Sequence, residues 1–108
     1  MTDKIVCLSS CADAAEAESI ARRLVEKRLA ACVNIVPGAR SVYRWQGAVE
    51  ESSECLLLIK SRRELVDQLR SEIERLHSYE VPEVLVLAIA EGSTAYLNWL
   101  EHELKPEP

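Results

Sequence analysis

The sequence predicts an α+β fold made of two split β-α-β units in tandem. Two stretches show apolar residues at helical spacing, each lies between strand-like runs, and two long strand-like arms meet at Trp45-Gln46-Gly47. The resulting order is strand, helix, strand, strand, helix, strand, followed by a short terminal helix. Right-handed crossovers place the first and third strands centrally and both long helices on one face, which is a ferredoxin-like sandwich.

The first unit begins with an apolar run at residues 4–10 that suits a central strand. Asp13 and Glu16 predict a helix start, because a capping oxygen and an early acidic residue complement the free N–H groups there. The helical face that follows carries Ala17, Ile20, Ala21, Leu24, Val25 and Arg28. Residues 31–36 then form a strand that Pro37-Gly38 interrupts with a bend or bulge.

The second unit starts where extension resumes at residues 40–45, turns at Gln46-Gly47 and returns through residues 48–60. Ser61 and Glu64 match a capping box for a second amphipathic helix. Residues 84–90 suit a strand buried on both faces, and Gly92-Ser93-Thr94 breaks the chain and caps a terminal helix at residues 95–104. We expect residues 105–108 to form a tail. Helical spacing predicts that the second helix has a buried face made of Leu65, Leu69, Ile73 and Leu76.

The two arms between residues 31 and 60 are longer than one small sheet requires, since strands average about five or six residues. Their apolar residues Val33, Ile35, Val42 and Leu57 cannot all shelter under two helices. Unpaired strand edges and open apolar faces attract partner chains. We therefore expect an oligomer whose subunits exchange sheet contacts.

Composition indicates an ordinary globular protein, with 48% hydrophobic and 29% charged residues among 108. We expect residues 1–108 to form a single domain. No apolar run approaches the roughly 20 residues of a membrane helix, and the first residues lack the apolar length of a secretory signal. A cytoplasmic location is expected. The net charge of −5 argues against a nucleic-acid partner.

The cysteines and histidines indicate little catalytic chemistry. Cys7, Cys11, Cys32 and Cys55 lack the paired spacing of a zinc site, and buried structural thiols are the favoured interpretation. Cys11 is the exception to consider, because a helix amino terminus favours the thiolate. The two histidines leave few catalytic arrangements, and three glycines match no phosphate loop. We expect a protein that is not an enzyme.

Three ordered motifs resemble the CutA divalent-cation-tolerance family. They are ACVNIVPG at residues 31–38, SVYRWQGAVEESSE at residues 41–54 and HSYEVPE at residues 77–83. The resemblance extends over essentially the whole chain. It implies a cytoplasmic homotrimer of ferredoxin-like subunits, similar in architecture to PII signal proteins and linked to tolerance of copper and other divalent metals.

The metal site that the resemblance implies is only partly present. Some copper-binding members carry a Cys at the end of the first strand and a His-His pair after the second helix. The matching positions here are Ser9 and Leu76-His77, so His77 alone remains as a predicted metal ligand. Soft thiolate and imidazole ligands select copper, so these losses should weaken such a site. Cys7 or Cys11 could replace the missing thiol.

His77 also has a structural interpretation, since a histidine after a helix often caps the last carbonyls or favours the negative dipole end. If His77 binds metal, Glu80, Glu83 or a side chain of another subunit must complete the ligand shell. Residues 79–83 also suit a rigid connector between subunits.

A second candidate site is an inter-subunit cleft along the hairpin. Alternation places Tyr43 and Trp45 on one face of their arm and Glu50 and Glu54 on one face of the other. With Lys60 supplying charge, the cleft suits an anionic or polar ligand. Plain hairpin packing explains the same residues. The full predicted set is Tyr43, Trp45, Glu50, Glu54, Lys60, Tyr79 and Glu80.

Two functions follow from these sites. One is a trimeric metal-tolerance protein that binds divalent ions, copper among them, at low affinity. The other is a PII-like trimeric scaffold for signalling or interaction that binds a small ligand in its clefts without physiological metal binding. The fold alone does not choose between them.

Overall fold

A computed structural model describes residues 2–106 of the chain. The predicted tail of residues 105–108 is therefore described only as far as residue 106. Three helices and a four-stranded sheet follow the predicted order, with a short 3-10 turn at Arg63–Leu65 before the second helix. The elements are β1 (Lys4–Cys11), α1 (Ala14–Glu26), β2 (Cys32–Trp45), β3 (Ala48–Arg62), α2 (Val66–Leu76), β4 (Leu85–Ala88) and α3 (Thr94–Glu103).

The sheet order is β2-β3-β1-β4, and every neighbouring pair is antiparallel. The first and third strands are therefore central, as predicted, and the α+β class is confirmed. Alternate residues of β1 and β3 face α1 and α2, because opposite residues in a ladder point to the same face. The core on that face includes Ile5, Cys7, Leu57, Ile59, Ile20, Leu24, Leu69 and Ile73.

The hairpin of β2 and β3 extends beyond the rest of the sheet. The last partner of β1 is Cys55, so residues 48–54 of β3 pair only with β2. A bulge between Val36 and Ala39 confirms the predicted interruption, and Gly38 has a φ of 77° there. Gln46 and Gly47 turn with φ of 50° and 83°. Positive φ at both positions matches the twist of a tight hairpin.

The first helix begins as the sequence predicts, because the Asp13 side chain accepts a hydrogen bond of 2.8 Å from the Glu16 N–H. Its apolar face is narrower than predicted. Val25 is exposed, and Arg28 lies beyond the helix with a φ of 60°. The Arg28 guanidinium instead donates to the carbonyls of His102 and Glu103. These hydrogen bonds connect the turn after α1 to the end of α3.

The predicted capping box is wrong. Ser61 belongs to β3 and is buried, and its hydroxyl donates to the Leu29 carbonyl at 2.7 Å. The prediction of a fully buried last strand is also wrong, since all four residues of Leu85–Ala88 are exposed. The strand lies at the sheet edge and pairs only with β1 among the described residues. Its apolar residues are those of an uncovered edge.

Between residues 2 and 106, no helix combines the length and apolar content that crossing a membrane requires.

Candidate functional site

Three elements end close together and bring a thiol, a carboxylate and an imidazole to one place. Cys11 is the last residue of β1, Glu16 lies in the first turn of α1, and His77 follows the last residue of α2. Their ligand atoms lie within 4.8 Å of one another, and no other group of three metal-binding side chains occurs among residues 2–106. We call Cys11, Glu16 and His77 the thiol–histidine cluster.

Both nitrogens of the His77 ring take part in hydrogen bonds within the chain. Nδ1 accepts from the Tyr79 N–H at 3.1 Å, so this nitrogen is unprotonated. Nε2 therefore carries the proton of the neutral ring and donates it to the Ser10 carbonyl at 2.7 Å. The ring binds β1 rather than the last carbonyls of α2, which corrects the predicted capping role. His77 joins the end of α2 to the end of β1.

The Glu16 carboxylate connects the same elements. One oxygen accepts from the Ala12 N–H at 3.3 Å and the other from the Ser78 N–H at 2.8 Å. Burial raises the pKa of Glu16, but the hydrogen bonds from Ser78 and Ala12 outweigh this effect, so the pKa lies below its usual range. Glu16 is therefore ionised at neutral pH. Sequence reasoning used Glu16 only as a helix-start signal and missed its place beside His77.

The Cys11 thiol is fully buried and protonated at neutral pH. Burial, with smaller effects of Glu16 and other neighbours, raises the pKa of Cys11 to about 12. The expectation that a helix start favours the thiolate here is wrong, because Cys11 is the last residue of β1 and its side chain is buried in the core. All four cysteines are free thiols.

The remaining residues of the predicted metal site lie apart from the cluster. Ser9 is buried, and its hydroxyl has no hydrogen-bond partner in the part of the chain that the structure describes. Leu76 packs against the core. Cys7, whose pKa burial raises to about 11, shares the helix-facing side of β1 but is not part of the cluster. Glu80 and Glu83 line a separate cavity. Of the two candidate thiols, Cys11 is the one beside His77.

That cavity, which we call the hairpin cavity, has a volume of about 640 Å³. It lies between the extended hairpin and the segment after α2, on the sheet face opposite the core. Six of the seven predicted cleft residues line it, namely Tyr43, Trp45, Glu50, Glu54, Tyr79 and Glu80. The other lining residues are Ser10, Ser41, Val42, Ser52, Val81 and Glu83.

The hairpin register explains why these side chains share one face. Tyr43 is directly opposite Glu50, and two residues along the ladder Ser41 is opposite Ser52. Opposite residues point to the same side of a sheet, so the aromatic and acidic side chains meet. Glu54 is only 8% exposed, and one of its oxygens accepts from the Tyr79 hydroxyl at 2.6 Å. Burial and this hydrogen bond raise the pKa of Tyr79 above its usual range.

Lys60 is the predicted cleft residue that this chain does not bring to the cavity. Its ammonium group donates to the Asn34 side chain and lies 6.0 Å from the centre of the Tyr96 ring. The positive charge expected for an anionic ligand is therefore placed elsewhere on the same sheet face. Whether a cleft forms between subunits stays a prediction.

Comparison with known proteins relates the chain to one family. A sequence model described as CutA1 divalent ion tolerance protein matches residues 5–103. The chain is 55% identical over 84 residues to the divalent-cation tolerance protein CutA of Thermus thermophilus, covering 78% of this chain and 82% of that relative. It is 47% identical over 88 residues to the chloroplastic protein CutA of Arabidopsis thaliana, covering 82% of this chain. The match covers 48% of that relative, so the chain spans about half of its length.

The fold agrees with these matches. The solved structure of the divalent cation tolerance protein from Thermus thermophilus superimposes with a TM-score of 0.92 at 47% identity. The superposition covers 94% of this chain and 99% of that chain.

Proposed function

This chain belongs to the CutA1 divalent ion tolerance family. We propose that it binds divalent metal ions, copper among them, with low affinity at the thiol–histidine cluster. The observation that carries the proposal is the close approach of Cys11, Glu16 and His77 within 4.8 Å. A thiol and an imidazole are ligands that favour copper and zinc over magnesium or calcium. Binding of this kind supports a role in divalent-cation tolerance.

Low affinity follows from the contacts that the three side chains already make. His77 must release either the Ser10 carbonyl or the Tyr79 N–H before a ring nitrogen is free. Cys11 must lose its proton, and Glu16 must exchange hydrogen bonds from Ala12 and Ser78. Each exchange costs free energy, so the cluster suits an ion at elevated concentration rather than a permanently held one.

Isothermal titration with cupric ion tests this proposal through His77→Ala. The variant is expected to lose about tenfold or more in affinity, because an imidazole is a main ligand of the set. His102→Ala is the matched control, since His102 is exposed on α3 with its Nδ1 at 2.8 Å from the Asn98 carbonyl. Equal loss in both variants, or no loss in either, would remove the cluster as the copper site.

We further propose that the protein assembles as a homotrimer. The open hairpin and edge strand support assembly, since Val42, Val49, Leu85 and Leu87 are each at least half exposed. A single chain with extents of 44 × 25 × 22 Å leaves these apolar side chains uncovered. The count of three rests on the family resemblance. Native mass spectrometry is expected to give three times the mass of one chain.

A cytoplasmic location and a non-enzymatic role are also proposed. The four free thiols support that location, because disulfides are uncommon in a reducing compartment. The non-enzymatic role is supported by His77, whose ring nitrogens are both engaged and so are not free to act as a base. Fractionation of the native host is the measurement for the location.

A second candidate function is a PII-like trimeric scaffold that binds a small ligand without physiological metal binding. The hairpin cavity favours it, because its volume falls within the roughly 300 to 1,000 Å³ typical of small-molecule sites. Retention of a small molecule through native mass spectrometry, unchanged by metal chelators, is the expected result for this function.

A further inference from the structure

Two buried thiols lie directly opposite each other at the end of β1. Cys11 is the last residue of β1, and its partner in the antiparallel ladder with β3 is Cys55. Opposite residues point to the same face of a sheet, and both side chains belong to the core. Opposite Cα atoms are about 4.5 to 5.5 Å apart, within the range of about 4.4 to 6.8 Å that a disulfide spans. We call Cys11 and Cys55 the opposed thiols.

The other two cysteines are not placed to compete for this bond. Cys7 is opposite Ile59, and Cys32 is opposite Lys60. Each lies at least four ladder positions from the opposed thiols, which is about 13 Å along an extended strand. A disulfide cannot cross that distance without movement of the backbone. The strand register therefore selects a single pair among the four free thiols.

The end of β1 gives an oxidant access to the opposed thiols. Among the described residues β4 pairs with β1 only from Ile5 to Leu8, so Cys11 has a neighbouring strand on one side alone. Ala12 and Asp13, which follow it, are exposed. Strand ends open locally at a lower free energy than the centre of a sheet. Opening of this end exposes the Cys11 thiol while the rest of the core stays folded.

Cys11 is also the thiol of the thiol–histidine cluster, so one sulfur serves two states that exclude each other. As a thiol it can lose its proton and bind a metal ion beside Glu16 and His77. As half of a disulfide it has no thiolate to offer. We propose that Cys11 and Cys55 form a reversible disulfide that switches off the metal site of the cluster. The disulfide depends only on the strand register, whereas its effect on metal rests on the proposed function of the cluster.

A peroxide supplies the oxidation. The Cys11 sulfur attacks one oxygen of hydrogen peroxide, the O–O bond breaks, and a sulfenic acid and a water form. The Cys55 sulfur then attacks the sulfenic sulfur, the S–O bond breaks, and the S–S bond forms with release of a second water. The two thiol hydrogens end in the two waters, and the two electrons reduce the peroxide. Cβ atoms of opposite residues are about 4.5 to 5.5 Å apart, wider than the mean of about 3.8 Å in disulfides, so the bond is strained and a dithiol reductant reopens it.

Peptide mapping without reductant tests the disulfide, using the metal-free full chain treated with hydrogen peroxide. The peptides of Cys11 and Cys55 should be linked within one chain, the intact mass should fall by two hydrogen atoms, and dithiothreitol should reverse both changes. Cys55→Ala should keep these hydrogens, and Cys32→Ser is the matched control that should form the same link. The link is measured in the unmodified chain, so the outcome does not depend on the folding of a variant. A treated chain without the link, or with a link to Cys7 or Cys32 instead, overturns the proposal.

Zinc titration of the reduced and oxidised chains tests the effect on metal, because zinc has no redox chemistry of its own. The reduced chain is expected to bind zinc, and the oxidised chain should bind it about tenfold or more weakly. Equal zinc affinity of the two forms overturns the switch. A chain that binds no zinc in either form contradicts the proposed function of the cluster, and the peptide map then decides the disulfide on its own.

Discussion

At the scale of single residues, polar groups in this chain serve both to connect elements and to offer ligand atoms. His77 illustrates this, because the hydrogen bonds that fix its ring also occupy both of its nitrogens. Tyr79 connects the two sites: its N–H donates to His77, its hydroxyl donates to Glu54, and its ring lies 4.7 Å from the His77 ring. Affinity for metal is therefore linked to the local stability of this junction.

Glu72 shows a purely structural use of charge. It is buried on α2 and accepts from Arg75 at 2.7 Å and from Lys27, just after α1, at 2.9 Å, with Arg23 at 3.5 Å. The hydrogen bonds from Arg75 and Lys27 lower the pKa of Glu72 from 4.5 to about 2, against the opposing effect of burial. A lowered pKa adds stability that is present above pH 4.5 and is lost as the pH falls towards 2.

Glu72→Gln is therefore expected to lower the free energy of unfolding by about 1 kcal/mol at pH 7. The loss should shrink as the pH falls from about 4.5 towards 2, because the wild-type carboxylate is then protonated as well. Urea unfolding at several pH values measures this loss of unfolding free energy. Glu74→Gln is the control, because Glu74 is an exposed residue of the same helix. A loss that stays constant over this pH range would contradict the assigned role.

At the scale of elements, the sequence predicted what alternation and turn chemistry dictate. The hairpin faces followed from a period of two, and Gln46-Gly47 and Pro37-Gly38 marked the turn and bulge. Capping at Ser61 was mispredicted because its hydroxyl binds the distant Leu29 carbonyl, a tertiary contact that no local pattern contains. Glu16 was missed for the same reason, since the segment after α2 reaches it only in the folded chain.

Among the elements, the exposed edge strand β4 is the main reason to expect that the chain assembles into an oligomer. Leu87→Glu places a charge on an exposed apolar residue of that edge and is expected to dissociate the oligomer into smaller species. Val25→Glu is the control, because Val25 is 41% exposed on α1, away from the sheet edge. Native mass spectrometry reports both masses. Dissociation in the control, or an intact assembly in Leu87→Glu, would exclude the edge strand as the contact.

At the scale of the whole molecule, α1 and α2 cover one face of the sheet, and α3 covers part of the other face around Lys4 and Arg62. The hairpin and the edge strand β4 remain exposed. The thiol–histidine cluster lies at the helix side of this sheet and the hairpin cavity at its open side, with Ser10 part of both surroundings. The sequence predicted six cavity residues from one hairpin pattern and a connector segment. Of the cluster, it named His77 as a metal ligand and Cys11 as one of two thiols that could complete the site, but it missed Glu16. The three residues of the cluster come from β1, α1 and the end of α2, and these elements meet only in the complete fold.

X-ray absorption of the zinc-loaded protein tests the central claim, that Cys11, Glu16 and His77 together bind a divalent ion. The unmodified chain is expected to show one sulfur ligand at about 2.3 Å with nitrogen and oxygen ligands at about 2.0 to 2.2 Å. Cys11→Ser should lose the sulfur ligand, whereas Cys32→Ser, which alters a thiol outside the cluster, should keep it. A spectrum without sulfur in the unmodified chain, or sulfur that persists in Cys11→Ser, would contradict the claim.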